Sequence, residues 1–297
     1  MADLTFQFVS ALPHYTISGL TVDNNGVMWA SCYEGDASYY HVYKATPPNY
    51  IFTAFTSIAA GNINLGGICT RPSNNDKWVC PWQSAPLIIN GTTEAVTTFG
   101  GGASSNRHDI CSDSSDNLWI TCLSNGLWKK APADSNFSQV LAHPAAYPNS
   151  PYGLTGARYN PVDGYLYVGV YSSPSSNGGT VLKVNPASPS WVSTGAPNVS
   201  MYDPFCAYNG DVYCGGTGLL AGVYKLTYGG GWSTLTMNTP LLSNRAPYVG
   251  WFTAADAVMF IASGENLYKT AIPPNPPVAI SAIPSIMKNT VTWTGPA

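Results

Sequence analysis

Apolar and polar positions alternate in short runs along most of the chain, and the runs come in pairs. Between Ser114 and Lys129 a polar turn at Ser114, Ser115 and Asp116 leads into Leu118, Ile120 and Cys122 at alternate positions. Ser124, Asn125 and Gly126 then break the run, and Leu127, Trp128 and Lys129 resume it. Period-two alternation marks a half-buried strand, and a short break carrying Gly between two such runs marks a hairpin. The stretch predicts one antiparallel hairpin.

The same text recurs. Asn24-Asn25-Gly26-Val27-Met28-Trp29 precedes Val42-Tyr43-Lys44, and Asn74-Asn75-Asp76-Lys77-Trp78-Val79 precedes Leu87-Ile88-Ile89. Further copies start at Asp163-Gly164, at Asn209-Gly210 and at Ala257-Val258. Each copy has an inner strand before its turn, beginning at Gly19, Gly67, Asp109, Gly156, Asp203 and Gly250, so that successive starts lie 48, 42, 47, 47 and 47 residues apart. A period of about 40 to 50 residues is that of four-stranded propeller blades. The chain therefore reads as all-β, a six-bladed β-propeller over residues 1–272. The last copy runs into Pro273 without an outer strand. Residues 5–12 alternate like one, and Phe6-Gln7-Phe8-Val9-Ser10 resembles Ile51-Phe52-Thr53-Ala54-Phe55. The N-terminal strand is predicted to complete the blade containing Val258 to Lys269, which removes an open sheet edge.

Composition narrows the function. Charged residues make up 9% of the chain, against about 25% in ordinary domains, so the surface must be built from Ser, Thr, Asn, Gly and Tyr. A net charge of −3 offers no basic footprint for nucleic acid. No apolar run approaches the ~18 residues that span a bilayer, and MADLTFQFVSALP lacks the basic segment and apolar core of a secretory signal. Lys44, Lys129, Lys183, Lys225 and Lys269 fall on third strands and read as solvated charges at the blade periphery.

Cys69 and Cys80, Cys111 and Cys122, and Cys206 and Cys214 stand 11, 11 and 8 residues apart around predicted turns. A hairpin register placing them opposite one another would bring each pair within reach of a disulfide. The alternative is buried thiols acting as small apolar fillers. Cys32 has no such mate.

No G-x-S-x-G, H-E-x-x-H, C-x-x-C or phosphate-cradling glycine loop is present, and the four histidines are scattered. Position is the remaining guide. Segments leading into innermost strands open at the mouth of a propeller's channel and carry Arg107, His108, Asp109, Tyr152, Tyr202, Asp203 and Tyr248. Loops between second and third strands open on the same face and add Glu34 and Trp82. Aromatic faces beside short polar groups suit sugar rings; equally, such residues suit loops. Asp109 and Asp203 replace glycine at equivalent positions. They are the candidates for a structural divalent cation or an oriented water, or else they cap backbone N–H groups.

Asp116-Asn117-Leu118-Trp119-Ile120-Thr121 with Gly126-Leu127-Trp128 resembles the blade motif of NHL-type and two-component-regulator propellers. Tyr152-Gly153-Leu154 through Asn160-Pro161-Val162-Asp163-Gly164-Tyr165-Leu166-Tyr167-Val168 is similar to a blade of gluconolactonase-type propellers. The resemblance spans roughly residues 1–272 and implies architecture. Enzymes of the gluconolactonase type hold a divalent metal in the channel with a Glu, two Asn and an Asp. Here Asp203 alone matches, Gly19 opens the first inner strand, and Tyr152 stands at an asparagine position.

Residues 273–297 follow a proline-rich break. Val278 to Ile283 and Thr290 to Thr294 are similar to the first two strands of a fibronectin type III module, and two strands form no core of their own. The segment 278–294 is expected to pair with another chain, or to fold back on the propeller. Three functions follow. The leading one is a non-enzymatic virion structural or assembly protein, such as a bacteriophage tail, head-fibre or decoration component located in the virion, with glycan binding at the mouth. The second is a soluble carbohydrate-binding lectin, cytoplasmic or non-classically secreted. The third is a metal-dependent lactonase or hydrolase.

Overall fold

The computed structural model describes residues 7–12, 16–33, 41–58, 65–101, 106–147, 152–172, 179–197, 201–207, 209–216, 222–235, 249–253, 258–263 and 266–271. The first strand, β1 (Gln7–Ala11), belongs to the last blade. Blade 1 holds β2 (Thr16–Val22), β3 (Met28–Tyr33), β4 (Val42–Thr46) and β5 (Ile51–Ala54), and blade 2 holds β6 (Leu65–Thr70), β7 (Lys77–Pro81), β8 (Leu87–Ile89) and β9 (Val96–Thr98). Blade 3 comprises β10 (Arg107–Ser112), β11 (Leu118–Cys122), β12 (Gly126–Lys130) and β13 (Ser138–Leu141). Blade 4 comprises β14 (Tyr152–Asn160), β15 (Tyr165–Ser172), β16 (Thr180–Val184) and β17 (Trp191–Ser193). Blade 5 is β18 (Met201–Cys206), β19 (Val212–Gly216), β20 (Gly222–Leu226) and β21 (Trp232–Leu235). Blade 6 is β22 (Val249–Thr253), β23 (Val258–Ser263), β24 (Asn266–Ala271) and then β1.

The six four-stranded sheets are those the repeat predicts. β1 pairs antiparallel with β24, Gln7 opposite Lys269 and Phe8 opposite Tyr268, so the start of the chain closes the ring. Inner strands β2, β6, β10, β14, β18 and β22 each pack on the next, and β22 returns to β2. The segment 273–297 lies outside the described residues.

One side chain in each second strand joins its blade to the next. Trp29 packs with Leu65, Ile68 and Val79 of blade 2, and Trp78 with Ile110, Ile120 and Phe137 of blade 3. Trp119 meets Leu154, Leu166 and Val168 of blade 4, Tyr167 meets Met201 and Val212 of blade 5, and Tyr213 meets Ile261 and Tyr268 of blade 6. Phe260 completes the circle against Leu20 and Met28 of blade 1, its ring 4.8 Å from that of Tyr50. Each such aromatic brings a large apolar area out of water.

Polar groups fix these rings. Asp113 Oδ1 accepts the N–H groups of Ser115 and Asn117, and its Oδ2 accepts Trp119 Nε1–H at 2.8 Å. Asp23 does the same for Asn25, Val27 and Trp29, and Asp163 does so for Tyr165 and the Tyr167 hydroxyl. An aspartate thus closes the turn and aims the ring that follows it. Lys77 Nζ lies 2.9 Å from Asp23 Oδ2, both side chains buried, and 4.8 Å from the centre of the Trp29 ring. Burial pushes the Asp23 carboxyl up, but hydrogen bonds from Lys77 and Trp29 and the Lys77 charge outweigh it and hold the group below its ordinary value.

The third-strand lysines are not simply solvated. In register, Lys44 faces Trp29, Lys129 faces Trp119, Lys183 faces Tyr167, Lys225 faces Tyr213 and Lys269 faces Phe260. Lys129 Nζ stands 5.0 Å over the Trp119 ring and Lys183 Nζ 4.6 Å over that of Tyr165, within cation–π range. Lys44 also bridges to Glu94 of blade 2 at 2.8 Å.

The cysteines depart from the expected pairing, for all seven are free thiols. The third-blade turn lies at Ser114–Asp116 as predicted, between Asp113 and Asn117, but a hairpin centred there sets Cys111 opposite Trp119, and Cys122 faces Arg107. They lie in different interblade layers, Cys111 toward blade 4 and Cys122 toward blade 2. Cys69 faces Trp78 and Cys206 faces Val212, so Cys80 and Cys214 are displaced from them along the hairpin. Burial raises the pKa of Cys32, Cys69, Cys80, Cys111, Cys206 and Cys214, and the thiols act as core filler.

The turn geometry makes a prediction. Asp113→Ala removes several charged hydrogen bonds and strands a buried indole N–H, so it should cost about 3 kcal/mol in urea denaturation. Asp116→Asn, three residues on in the same turn and partly exposed, should change stability by less than about 0.5 kcal/mol.

Candidate functional site

The starts of the inner strands and the ends of the second strands pair with one another, as Thr16 with Tyr33 and Arg107 with Cys122. Both therefore open at one end of the channel. Five of the six inner strands carry a register shift there: at Ile17/Gly19, Leu65/Ile68, Arg107/Asp109, Leu154/Ala157 and Tyr202/Phe205. A β-bulge inserts a residue with no partner and re-aims its side chain. In β10 that residue is His108.

The six positions singled out by the repeat lie at or beside these shifts, apart from Gly250. Neighbouring inner strands approach so closely that a Cβ on Gly67 would overlap the Asp109 carboxylate, and one on Gly156 would overlap that of Asp203. Glycine in one blade thus makes room for aspartate in the next. Both aspartates are buried, at 1% and 3% exposure. Asp109 Oδ2 accepts the Ala157 N–H at 3.1 Å and Arg158 Nη1–H at 2.6 Å. The buried Arg158 guanidinium also donates to Ala157 O at 2.8 Å.

Of the predicted mouth residues, the structure brings together Trp82, His108, Asp109 and Asp203. The Trp82 and His108 rings lie 5.9 Å apart at 46°, and His108 Nδ1 stands 3.9 Å from Asp203 Oδ1. Burial lowers the His108 pKa to about 4, so the ring is neutral at pH 7. Arg107 faces another task. It is 4% exposed, its Nε donates to Pro81 O at 3.1 Å and its Nη2 to Ser84 O, and it braces the loop that carries Trp82. Tyr152 and Tyr202 have their backbones in β14 and β18, with side chains outside the described residues; Glu34 and Tyr248 lie outside them altogether.

Arg158, which organises the cluster, escaped the sequence reading. A signal existed: an arginine amid an otherwise uncharged strand, YGLTGARYN, in a chain with so few charges is presumed buried with a partner. Asp23 and Asp113 were missed because each stands just outside the polar text that marked the turns, and Lys77, inside that text, was given no partner.

A channel metal does not fit these residues. The cation beside Asp109 is the guanidinium of Arg158, and among the described residues no group of three or more His, Cys, Asp or Glu side chains could hold a metal ion.

No protein-family model matches the sequence, and no curated protein is significantly similar to it. Solved structures do share the fold. A gluconolactonase from Xanthomonas campestris superposes at a TM-score of 0.65 with 12% identity, over 90% of this chain and 88% of that one. The extracellular domain of a hybrid two-component system from Bacteroides thetaiotaomicron gives 0.62 with 11% identity, over 91% of this chain and 40% of that one. An auxiliary nutrient binding protein from Bacteroides thetaiotaomicron gives 0.64 with 11% identity, over 86% and 68%. At such identities the likeness is one of fold, a six-bladed propeller that serves lactonases, sensor domains and nutrient-binding proteins alike.

The buried ion pair yields a prediction. Arg158→Leu leaves the Asp109 charge without its partner and should cost about 3 to 5 kcal/mol in chemical denaturation. The double variant Arg158→Leu/Asp109→Asn should recover most of that loss.

Proposed function

We propose that the chain is a non-enzymatic recognition propeller that binds carbohydrate at its channel mouth, and that it does so as a structural or assembly subunit, with a virion as the setting. One observation carries the binding reading. Trp82 is half-buried on a loop braced by Arg107, with the neutral His108 ring at 5.9 Å, while the charged groups below are committed to one another. A fixed aromatic face beside a neutral hydrogen-bonding ring can stack on the C–H face of a sugar without ordering a flexible side chain. The assembly setting is supported by the sparse charge and by residues 278–294, two strand-like stretches beyond a proline spacer that could satisfy their backbone groups by pairing with a neighbouring subunit.

A metal-dependent lactonase is the competing reading, favoured by the shared fold of the Xanthomonas campestris gluconolactonase. It needs carboxylates free to ligate a divalent cation, and Asp109 is already paired with the guanidinium of Arg158. Glycan-array binding of the full chain beside Trp82→Ala decides between them. The expected result is binding that falls at least about tenfold in the variant, with no stoichiometric divalent metal by elemental analysis. Failure of the intact protein to bind any glycan, or metal-dependent lactone hydrolysis, would overturn the reading. Deleting residues 273–297 should leave a folded propeller that no longer joins its assembly; unchanged assembly would sink that part.

A further inference from the structure

We propose that Asp109 and Asp203 form an unequal pair retaining one proton at neutral pH, Asp109 ionised against Arg158 and Asp203 the neutral acid, so that the ring is held more firmly as the solution is acidified. The geometry is a count of charges in a closed space. The two aspartates occupy equivalent positions on alternate blades and flank the same peptide of β14. Asp109 Oδ2 accepts the N–H of Ala157, and the Asp203 carboxylate fills the space that a side chain on Gly156 would take. One guanidinium serves both, and it is bonded to Asp109. Asp109 Oδ1, Asp203 Oδ1 and His108 Nδ1 are buried and have no hydrogen-bond partner among the described residues. Two carboxylates against one cation leave one negative charge uncovered, and a buried uncovered charge is neutralised by proton uptake.

The charged and titratable groups facing Asp203 are Asp109 and His108 from β10 and Arg158 from β14. Among the described residues of the other strands packed on β18, no second cation arrives. β22 reads VGWFT and has nothing to titrate. On β15, Tyr167 donates its hydroxyl proton to Asp163. Lys183 of β16 lies over the Tyr165 ring, and on β19 Tyr213 stacks on Phe205 while Cys214 contacts Met201. His108 stays neutral until about pH 4 and supplies no positive charge above it.

Burial, then the neighbouring Asp109 charge, push the Asp203 carboxyl well above its ordinary 3.8. Asp109 is raised less far, because burial is opposed by Arg158 and by backbone N–H groups. For a group whose folded value is raised, stability is complete below the unfolded value and is lost as pH rises through the folded one. Asp23, held below its ordinary value, acts oppositely: its contribution is lost only as pH falls beneath 3.8. The lowered histidines His108 and His143 also act oppositely, their contribution being lost as pH falls below 6.5, and the raised cysteines add a fall near pH 9, so the ring is read above the histidine window and as the difference between the native sequence and Asp203→Asn, which shares those groups.

The test is independent of what the mouth binds. Urea midpoints of the full chain are measured from about pH 7 to about pH 8.5, above the histidine window, for the native sequence, Asp203→Asn and Asp109→Asn. The native midpoint should fall with rising pH. Asp203→Asn, an uncharged mimic of the acid, should flatten that fall and match or exceed the native midpoint at the alkaline end. Asp109→Asn should lower the midpoint at every pH, because Arg158 loses its partner. Should a variant not fold, carboxyl-carbon NMR of the native protein decides: the Asp203 signal is expected at its protonated position at pH 7. A midpoint flat or rising with pH, equal losses from the two substitutions, or two ionised carboxyls at pH 7 would each overturn the proposal.

Discussion

The structure depends on a large aromatic side chain in each blade's second strand that is buried in the following blade rather than in its own. A four-stranded sheet of this size has two faces and no core until a neighbour covers each of them. Trp29, Trp78, Trp119, Tyr167, Tyr213 and Phe260 make that covering directional, each filling the next interblade layer. The sixth insertion meets the first blade, so no layer is left open. Closure by β1 is then a consequence: β24 already sits beside blade 1 and needs a partner for its outer edge.

Around these rings the polar groups act between blades as much as within them. Asn24 donates to Asn75 Oδ1 and Pro72 O, Ser73 to Asp116 Oδ1, and Asn160 to Gly210 O, while the Ser114 and Tyr159 hydroxyls pair. The face opposite the mouth is thereby tied turn to turn from blade 1 to blade 5. Nearer the axis, Ser18 donates to Leu65 O, Ser112 to Thr70 O and Thr155 to Met201 O. A hydroxyl suits such spans because it satisfies a neighbour's carbonyl without bringing a charge. The Ser- and Thr-rich composition therefore serves the interior as well as the surface.

Most of the fold was legible in the sequence because its repeating text is the text of the load it carries: a polar turn, then an aromatic, then a lysine across the hairpin. Blade number, strand order and the closing strand all follow from that period. Registers were less legible. The cysteine pairs were misjudged because a turn centred on Ser115 sets Cys111 opposite Trp119, three residues short of Cys122, and because bulges near the axis shift the far ends of the hairpins. At the start of β10, sequence alone could not separate His108, re-aimed by a bulge, from Arg107, turned back onto the carbonyls of Pro81 and Ser84. Adjacent residues in a strand differ by a face, and a bulge decides which face.

The distribution of charge constrains how such a molecule can recognise anything. Of 12 basic and 15 acidic residues in the chain, nine are buried among the described residues: Asp23, Lys77, Arg107, Asp109, Asp113, Lys130, Arg158, Asp203 and Asp211. These charges close turns, pair across blades and brace the Trp82 loop. The charges outside carry both signs and the chain's net charge is only −3, so little field reaches beyond a Debye length of about 8 to 10 Å. Long-range steering of a charged partner is accordingly weak, and selectivity has to come from contact: stacking on fixed rings, hydrogen bonds from loops, and the fit of a rim held rigid by its neighbours. This distribution of charge is the consideration behind the proposed reading of a neutral, hydroxyl-rich partner.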